Sequence, residues 1–288
     1  MKTFNYPEIK ASSTEIIQEF RTNGYIAISQ VPGFKTAYDE LIDISREFTN
    51  LPLDVQGKYS PKDSYARGWS RGIEMFHKKK DTYKGSYYVT LPESPSYPNI
   101  WPSELPDFQS RYEKVVGIIH GVGEQVLSML IDSLDETTVV SRMLHYSTIP
   151  KGEDDGNPNW CGSHKDHGLF TGLGPEVYFH SGKQTDKPSN SGLYILNNPA
   201  PNDAMLFQIG EALELISNGE TTATEHYVRK AYGGYERFTL AVFFQPRDDL
   251  ILNCDDGGVV EKYKDRYVKG MTYKNWNDRS FARYNTIS

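Results

Sequence analysis

The segment Cys161 to Phe170, CGSHKDHGLF, holds the densest group of chemically capable side chains in the sequence. His164 and Asp166 stand two apart in what reads as a strand end, and alternate strand residues point to the same side. A neutral imidazole and a carboxylate on one face are two thirds of a 2-His-1-carboxylate facial triad, the ligand set that leaves positions open on non-haem Fe(II). The third ligand must come from elsewhere, and His226, in the β-like stretch TATEHYVRK, is the natural candidate. Further along, strand alternation in RFTLAVFFQ puts Arg237, Thr239 and Ala241 on one face. A guanidinium beside a hydroxyl makes a grip for a carboxylate, the fork donating two charge-assisted hydrogen bonds and the threonine a third.

Alone, a His-x-Asp pair is a weak signal, more often a surface or capping arrangement; joined to a distant His and an Arg-x-Thr, it is far more specific. Other candidates read as structural. His167 neighbours Asp166 and so points to the opposite face, and His145 looks like a packing residue. His77 with Lys78, Lys79 and Lys80 reads as a solvated basic face, and only secondarily as a subsite for an acidic substrate. The pairs Asp154-Asp155, Asp248-Asp249 and Asp255-Asp256 sit in turn-like contexts. Gly121 and Gly123 lack the third glycine of a dinucleotide loop, there is no phosphate-loop motif, and Ser163 lacks the G-x-S-x-G elbow of a hydrolase.

These residues need a scaffold. Ser12 to Gly24 reads as a helix leading into the strand YIAIS, Tyr25 to Ser29, and a second helix covers about Lys35 to Phe48 on the stripe Tyr38, Leu41, Ile44 and Phe48. Between Pro52 and Pro106 the composition suggests short elements and loops, followed by a long helix from about Asp107 to Leu134. Beyond it, Val139 to Ser147, Gly192 to Leu196, Ala204 to Ile209 and Arg237 to Gln245 read as short strands between turns, the texture of a sandwich or jelly roll, and Val260 to Tyr284 returns to a helical pattern. The division expected is 1–135 as a helical cover with a few strands, 136–250 as a jelly-roll core and 251–288 as a helical extension, in one structural unit of class α+β.

Over 288 residues, 31 Lys and Arg stand against 38 Asp and Glu, a net charge of -7 that disfavours nucleic acid or an anionic membrane as partner. With only two cysteines, Cys161 and Cys254, neither a disulfide scaffold nor a Cys-rich zinc module is expected, and no stretch approaches a membrane span. The expectation is a cytoplasmic protein acting on a small molecule. Trp69, Phe76, Tyr87 and Trp160 are candidates for lining an apolar site, and Lys84 or Arg71 for meeting an acidic substrate.

The chain resembles the Fe(II)/2-oxoglutarate-dependent oxygenases, in particular the isopenicillin N synthase-like branch, through FRTNGYIAIS, FTNLPLDVQGKY, RGWSRGIEMF and NIWPSELPDF, and then HKDHGLFTGL, FQIGEALELISNGETTATEHYV and ERFTLAVFF. The resemblance implies a double-stranded β-helix, a jelly-roll core with flanking helices, in which His164, Asp166 and His226 hold iron. It also implies that Arg237 and Thr239 grip the distal carboxylate of 2-oxoglutarate with help from Tyr146. Leu144 stands where the plant enzymes usually carry an asparagine, and the polar loop from Glu176 to Asn190 is longer than the usual hairpin. The activity implied consumes O2 and 2-oxoglutarate, releases succinate and CO2, and hydroxylates, desaturates or cyclises a small organic substrate. The alternatives are an oxidase of the same fold that needs no 2-oxoglutarate, and a non-catalytic metal or small-molecule binding protein.

Overall fold

A computed structural model describes residues 2–61, 67–72, 75–76, 79–80, 82–131 and 137–287. The elements run β1 (Thr3–Asn5), α1 (Ser13–Asn23), β2 (Tyr25–Ser29), α2 (Phe34–Thr49), α3 (Leu53–Gly57), β3 (Gly68–Arg71), β4 (Met75–Phe76), β5 (Lys79–Lys80), β6 (Lys84–Leu91) and α4 (Phe108–Leu127). There follow β7 (Thr138–Tyr146), β8 (Asn159–His164), β9 (Phe170–Leu173), β10 (Val177–His180), β11 (Lys183–Thr185), β12 (Gly192–Ile195), β13 (Asn198–Pro199) and β14 (Met205–Ile209). The chain ends through α5 (Glu211–Ile216), β15 (His226–Arg229), β16 (Tyr235–Gln245), β17 (Ile251–Leu252), α6 (Gly257–Lys262), β18 (Met271–Thr272) and α7 (Tyr273–Ile287).

Two sheets form the core. A ten-stranded sheet runs β1-β2-β14-β9-β16-β7-β6-β3, with β10 continuing along the edge of β16 and β11 paired to it; a smaller sheet runs β13-β12-β15-β8. Between the sheets lies one apolar cluster containing Tyr25, Ala27, Tyr146, Trp160, Tyr178, Leu193, Ile195, Leu206 and Val228. A larger cluster fills the other face of the ten-stranded sheet, where α2 and α4 bring Tyr38, Leu41, Val115, Ile119 and Val122 against Phe170, Phe207 and Phe244. Strand alternation explains why one sheet serves two cores: β16 sends Phe238, Leu240, Val242 and Phe244 toward the helices and Arg237 and Thr239 toward the smaller sheet.

The helix and strand expected around Gly24 are present. Gly24 has φ +80° and lies so close to the segment before β15 that a Cβ there would come within 2.6 Å of Thr224 Oγ1. The α2 stripe of Tyr38, Leu41, Ile44 and Phe48 is buried as its spacing predicts.

Three expectations need correction. The helix expected to reach Leu134 stops at Leu127, where Met129 and Leu130 turn back to the carbonyls of Val126 and Leu127; the apolar pattern persists because Met129, Leu130 and Ile131 still pack on the core. The stretch from Pro52 to Pro106, expected to hold short elements and loops, has the short elements α3 and β3 to β5 but also a long strand, since β6 pairs with β7 from Lys84↔Tyr146 to Leu91↔Val139 and β3 pairs with β6 in turn. The polar segment from Glu176 to Asn190 is largely a β-hairpin, β10 and β11 turning at Ser181 and Gly182, with Tyr178 set opposite Arg237.

Candidate active site

β8 ends at His164 and β15 begins at His226, and the two residues face each other in the antiparallel register of the smaller sheet. Their ring centroids are 4.2 Å apart. Asp166 lies just past the end of β8, with Oδ1 3.8 Å from His164 Nε2 and 3.9 Å from His226 Nε2. Ligand atoms from these three residues lie within 4.8 Å of one another, and among the described residues this is the only such group of His, Cys, Asp or Glu.

The surroundings aim each donor. Gly162 O lies 2.8 Å from His164 Nδ1 and Thr224 O lies 3.1 Å from His226 Nδ1. A carbonyl can only accept, so each Nδ1 carries a proton and each Nε2 is the nitrogen turned toward a metal. Asp166 is fixed through its other oxygen: Oδ2 accepts from Thr171 Oγ1 at 2.6 Å and from Gln208 Nε2 at 2.8 Å, which leaves Oδ1 facing the histidines.

Burial holds His226 down at about 4, with the charge on His164 adding to it, so its imidazole is neutral at physiological pH. Burial would push Asp166 up, but His226, His164, Thr171 and Gln208 outweigh it and hold the carboxyl below its usual range. Burial also opposes charge on His164, yet the negative charge of the Cys161 thiolate, its hydrogen bond and Asp166 prevail and raise it to about 9. The trio therefore presents carboxylate and imidazole nitrogen in the proportions a divalent iron site requires, a cation replacing a proton at His164.

Deeper between the sheets, the register of β16 with β7 sets Arg237 opposite Tyr146 and Thr239 opposite Leu144. Arg237 is almost wholly buried, with its guanidinium carbon 5.2 Å from the centre of the Tyr146 ring, which itself stacks on Trp160 at 5.0 Å. Its Nε donates to Glu176 Oε1 at 2.7 Å, while Nη1 and the nearby Tyr178 hydroxyl are buried without a hydrogen-bond partner. Orphaned buried donors are rare, and two beside each other suit an acceptor such as a carboxylate. The Thr239 hydroxyl donates to Gly174 O at 3.1 Å, so contact with a cosubstrate requires it to turn. Leu144 packs apolar surface against the inner cluster.

The bland readings also hold at several positions. His145 stacks on Phe238 at 4.4 Å and pairs with Glu236, and His167 meets the Phe281 ring. Asp154 and Asp155 lie in a loop where both pair with Lys230, and Asp256 caps α6. Trp69 and Tyr87, candidates for an apolar pocket, instead pack with Phe48 on the helical side of the sheet, whereas Trp160 lies between the sheets. His77 and Lys78 are outside the described residues. Sequence reasoning missed Gln208, Thr171 and Glu176. A single amide in the apolar strand MLFQI was the available signal for Gln208; nothing local marked Glu176.

Comparison with known proteins agrees with this geometry. Residues 138–246 match the family described as the 2OG-Fe(II) oxygenase superfamily. The chain is 27% identical over 217 residues to jasmonate-induced oxygenase 4 of Arabidopsis thaliana, covering 71% of this chain but 60% of that protein. It is 26% identical over 308 residues to the 2-oxoglutarate-Fe(II) type oxidoreductase hxnY of Emericella nidulans, covering 91% of this chain and 84% of that one. Among solved structures, a full-length Neurospora crassa protein crystallised in complex with alpha-KG shares the fold at a TM-score of 0.72 and 18% identity, over 99% of this chain and 96% of that one. JOX2 in complex with 2OG, Fe and JA does so at 0.71 and 18%, over 98% and 85%. With its jelly-roll sheets, its His-x-Asp and distant His drawn together, and its buried arginine on the strand that follows, the chain carries over residues 138–246 a region that matches the 2OG-Fe(II) oxygenase superfamily, whose cofactor is Fe(II) and whose cosubstrate is 2-oxoglutarate.

Proposed function

We propose that this chain oxidises a small organic molecule by hydroxylation, desaturation or ring closure, with His164, Asp166 and His226 as iron ligands and Arg237, Thr239 and Tyr146 holding the distal end of 2-oxoglutarate. The observation that carries the reading is the convergence of three ligand atoms within 4.8 Å from two distant segments of the chain. Bound Fe(II) supplies the redox chemistry that couples O2 to the decarboxylation of 2-oxoglutarate, giving succinate and CO2.

The chain's own residues bind, orient and exclude water. Two imidazoles and one carboxylate converge from the ends of β8 and β15 and would hold Fe(II) as a three-residue ligand set, the kind that keeps positions free for other ligands. Thr171 and Gln208 keep Asp166 from rotating, and the carbonyls of Gly162 and Thr224 keep both imidazoles in the ligating tautomer. The buried Arg237 lies against the apolar cluster that includes Tyr146, Leu193 and Val228, surroundings in which its attraction for a carboxylate is stronger than in water.

The test is anaerobic reconstitution with Fe(II) followed by 2-oxoglutarate, watching for the weak visible charge-transfer absorption that chelation produces. The band is expected in the wild type, to be lost in His226→Ala with the iron, and to need far more 2-oxoglutarate in Arg237→Met. Bound iron with no band at any 2-oxoglutarate concentration would move the chain to the cosubstrate-independent oxidases.

A further inference from the structure

The guanidinium assigned to 2-oxoglutarate already has a carboxylate against it. Glu176 Oε1 accepts from Arg237 Nε at 2.7 Å and from Leu193 N at 2.8 Å. This contact is built into the fold. Gly192, at φ +80°, leaves the space the carboxylate fills, since a Cβ there would lie 2.3 Å and 2.5 Å from its two oxygens and 2.5 Å from the Tyr178 hydroxyl. Glu176 stands two positions before Tyr178, which lies opposite Arg237, so all three side chains face the space between the sheets.

A lone Glu176–Arg237 pair would be neutral, and an arriving carboxylate would meet the negative charge of Glu176 as well as the arginine. A second cation changes the sum. Lys187, reached by the chain folding back after the β10-β11 hairpin, places Nζ 2.5 Å from Glu176 Oε2, with its side chain only 19% exposed. Burial pushes Glu176 toward the neutral acid, and Arg237 and Lys187 together outweigh it and keep the carboxylate ionised. Two cations against one resident anion leave one positive charge, the amount that a single distal carboxylate neutralises. The unpartnered Arg237 Nη1 and Tyr178 hydroxyl mark the side still open to it.

We propose that Lys187 is a positioning residue for 2-oxoglutarate: by holding Glu176 it frees the charge of Arg237 for the distal carboxylate, and it ties the segment after the hairpin to an occupied cosubstrate site. This rests on the reading of Arg237 as the cosubstrate grip. The segment from Glu176 to Lys187 is thus an integral part of the cosubstrate pocket rather than a cover over it, and the affinity for 2-oxoglutarate depends on the charge sum of three side chains rather than on Arg237 alone.

The experiment is equilibrium binding of 2-oxoglutarate to the anaerobic, Fe(II)-loaded full chain, with iron affinity measured separately and no turnover involved. Lys187→Met raises the Kd for 2-oxoglutarate about tenfold and leaves iron affinity unchanged, while Lys187→Arg binds as wild type does. The double variant Glu176→Gln with Lys187→Met again has one cation in excess, and its Kd returns to within about threefold of wild type. An unchanged Kd in Lys187→Met overturns the proposal. So does a double variant as weak as Lys187→Met, because a lysine needed only for packing is not rescued by removing a charge; if Lys187→Met alone does not fold, the double variant and Lys187→Arg still decide. Failure of the underlying reading looks different: Arg237→Met then binds 2-oxoglutarate normally, whatever Lys187 does.

Discussion

Gln208 donates from Nε2 to Asp166 Oδ2 at 2.8 Å, and the same nitrogen stands 3.3 Å from His226 Nε2. One amide on β14 therefore touches two of the three proposed ligands and turns the free oxygen of the carboxylate toward the imidazoles. Gln208→Leu keeps the volume and removes the donor. Iron affinity should fall by about 10–100-fold while the far-ultraviolet circular dichroism stays as in the wild type, and an isothermal titration showing wild-type affinity would remove Gln208 from the site.

Asp166 is also placed by backbone. Gly210, immediately after β14, packs so closely that a Cβ would lie 2.2 Å from Gly168 O and 3.2 Å from Asp166 O, while Glu211 N donates to Asp166 O at 2.8 Å. Because the obstruction is main chain, no side chain can swing aside to relieve it. Gly210→Ala is expected to cost about 1–3 kcal/mol in denaturant unfolding and to weaken iron binding with it; a variant with wild-type stability contradicts this packing.

The C-terminal region is fastened to the core by a buried ion pair. Arg266 makes two parallel contacts with Glu211, both at 2.8 Å, and adds a hydrogen bond to Ser280 at 3.0 Å in α7. Arg266→Met leaves the Glu211 charge buried without its partner, and the expected loss is about 3 kcal/mol by urea denaturation. The double variant with Glu211→Leu should recover most of that loss, since the penalty lies in the unpaired charge.

Stability should also fall on mild acidification, with His145 one cause. Burial holds its imidazole below the usual histidine range although Glu236 lies 3.2 Å away and pulls the other way. The unfolded chain takes up this proton first as pH drops below about 6.5, so stability from this group is complete above that pH and is lost as pH falls toward the folded value. Glu236, lowered chiefly by its hydrogen bond to His145, acts in the same direction at lower pH. Melting temperatures of the metal-free protein, followed from about pH 7.5 to about pH 5, should decline less steeply in His145→Phe than in wild type; equal slopes would rule His145 out.

How far the sequence could be read depended on the range of each interaction. His164 and Asp166 stood out by residue type and close spacing, although Asp166 lies past the end of β8 where strand alternation no longer holds, and Arg237 with Thr239 were legible because strand alternation is a local rule. His226 was found by residue type in a β-like context, and its distance to the others could only be seen once β15 paired with β8. The lengths of α2 and β2 followed their apolar spacing, but β6 was obscured because KGSYYVTL mixes tyrosine and serine where an amphipathic strand shows sharper contrast. Glu176 escaped notice because its partner Arg237 sits 61 positions away on another strand, and no spacing rule spans that gap. Lys187 lay in a segment whose polarity reads simply as solvent exposure, while the fold turns its charge inward.

The direct pairing of His164 with His226 across two antiparallel strands makes the metal centre a reporter on the folding of the smaller sheet. A slip of β15 by one residue would send His226 to the other face and leave no third ligand near Asp166. Iron held by this trio would bind only chains whose strands have closed in the right alignment, and by mass action it would draw the population toward them. A metal at the proposed ligands would in this sense proofread strand alignment before taking part in any reaction.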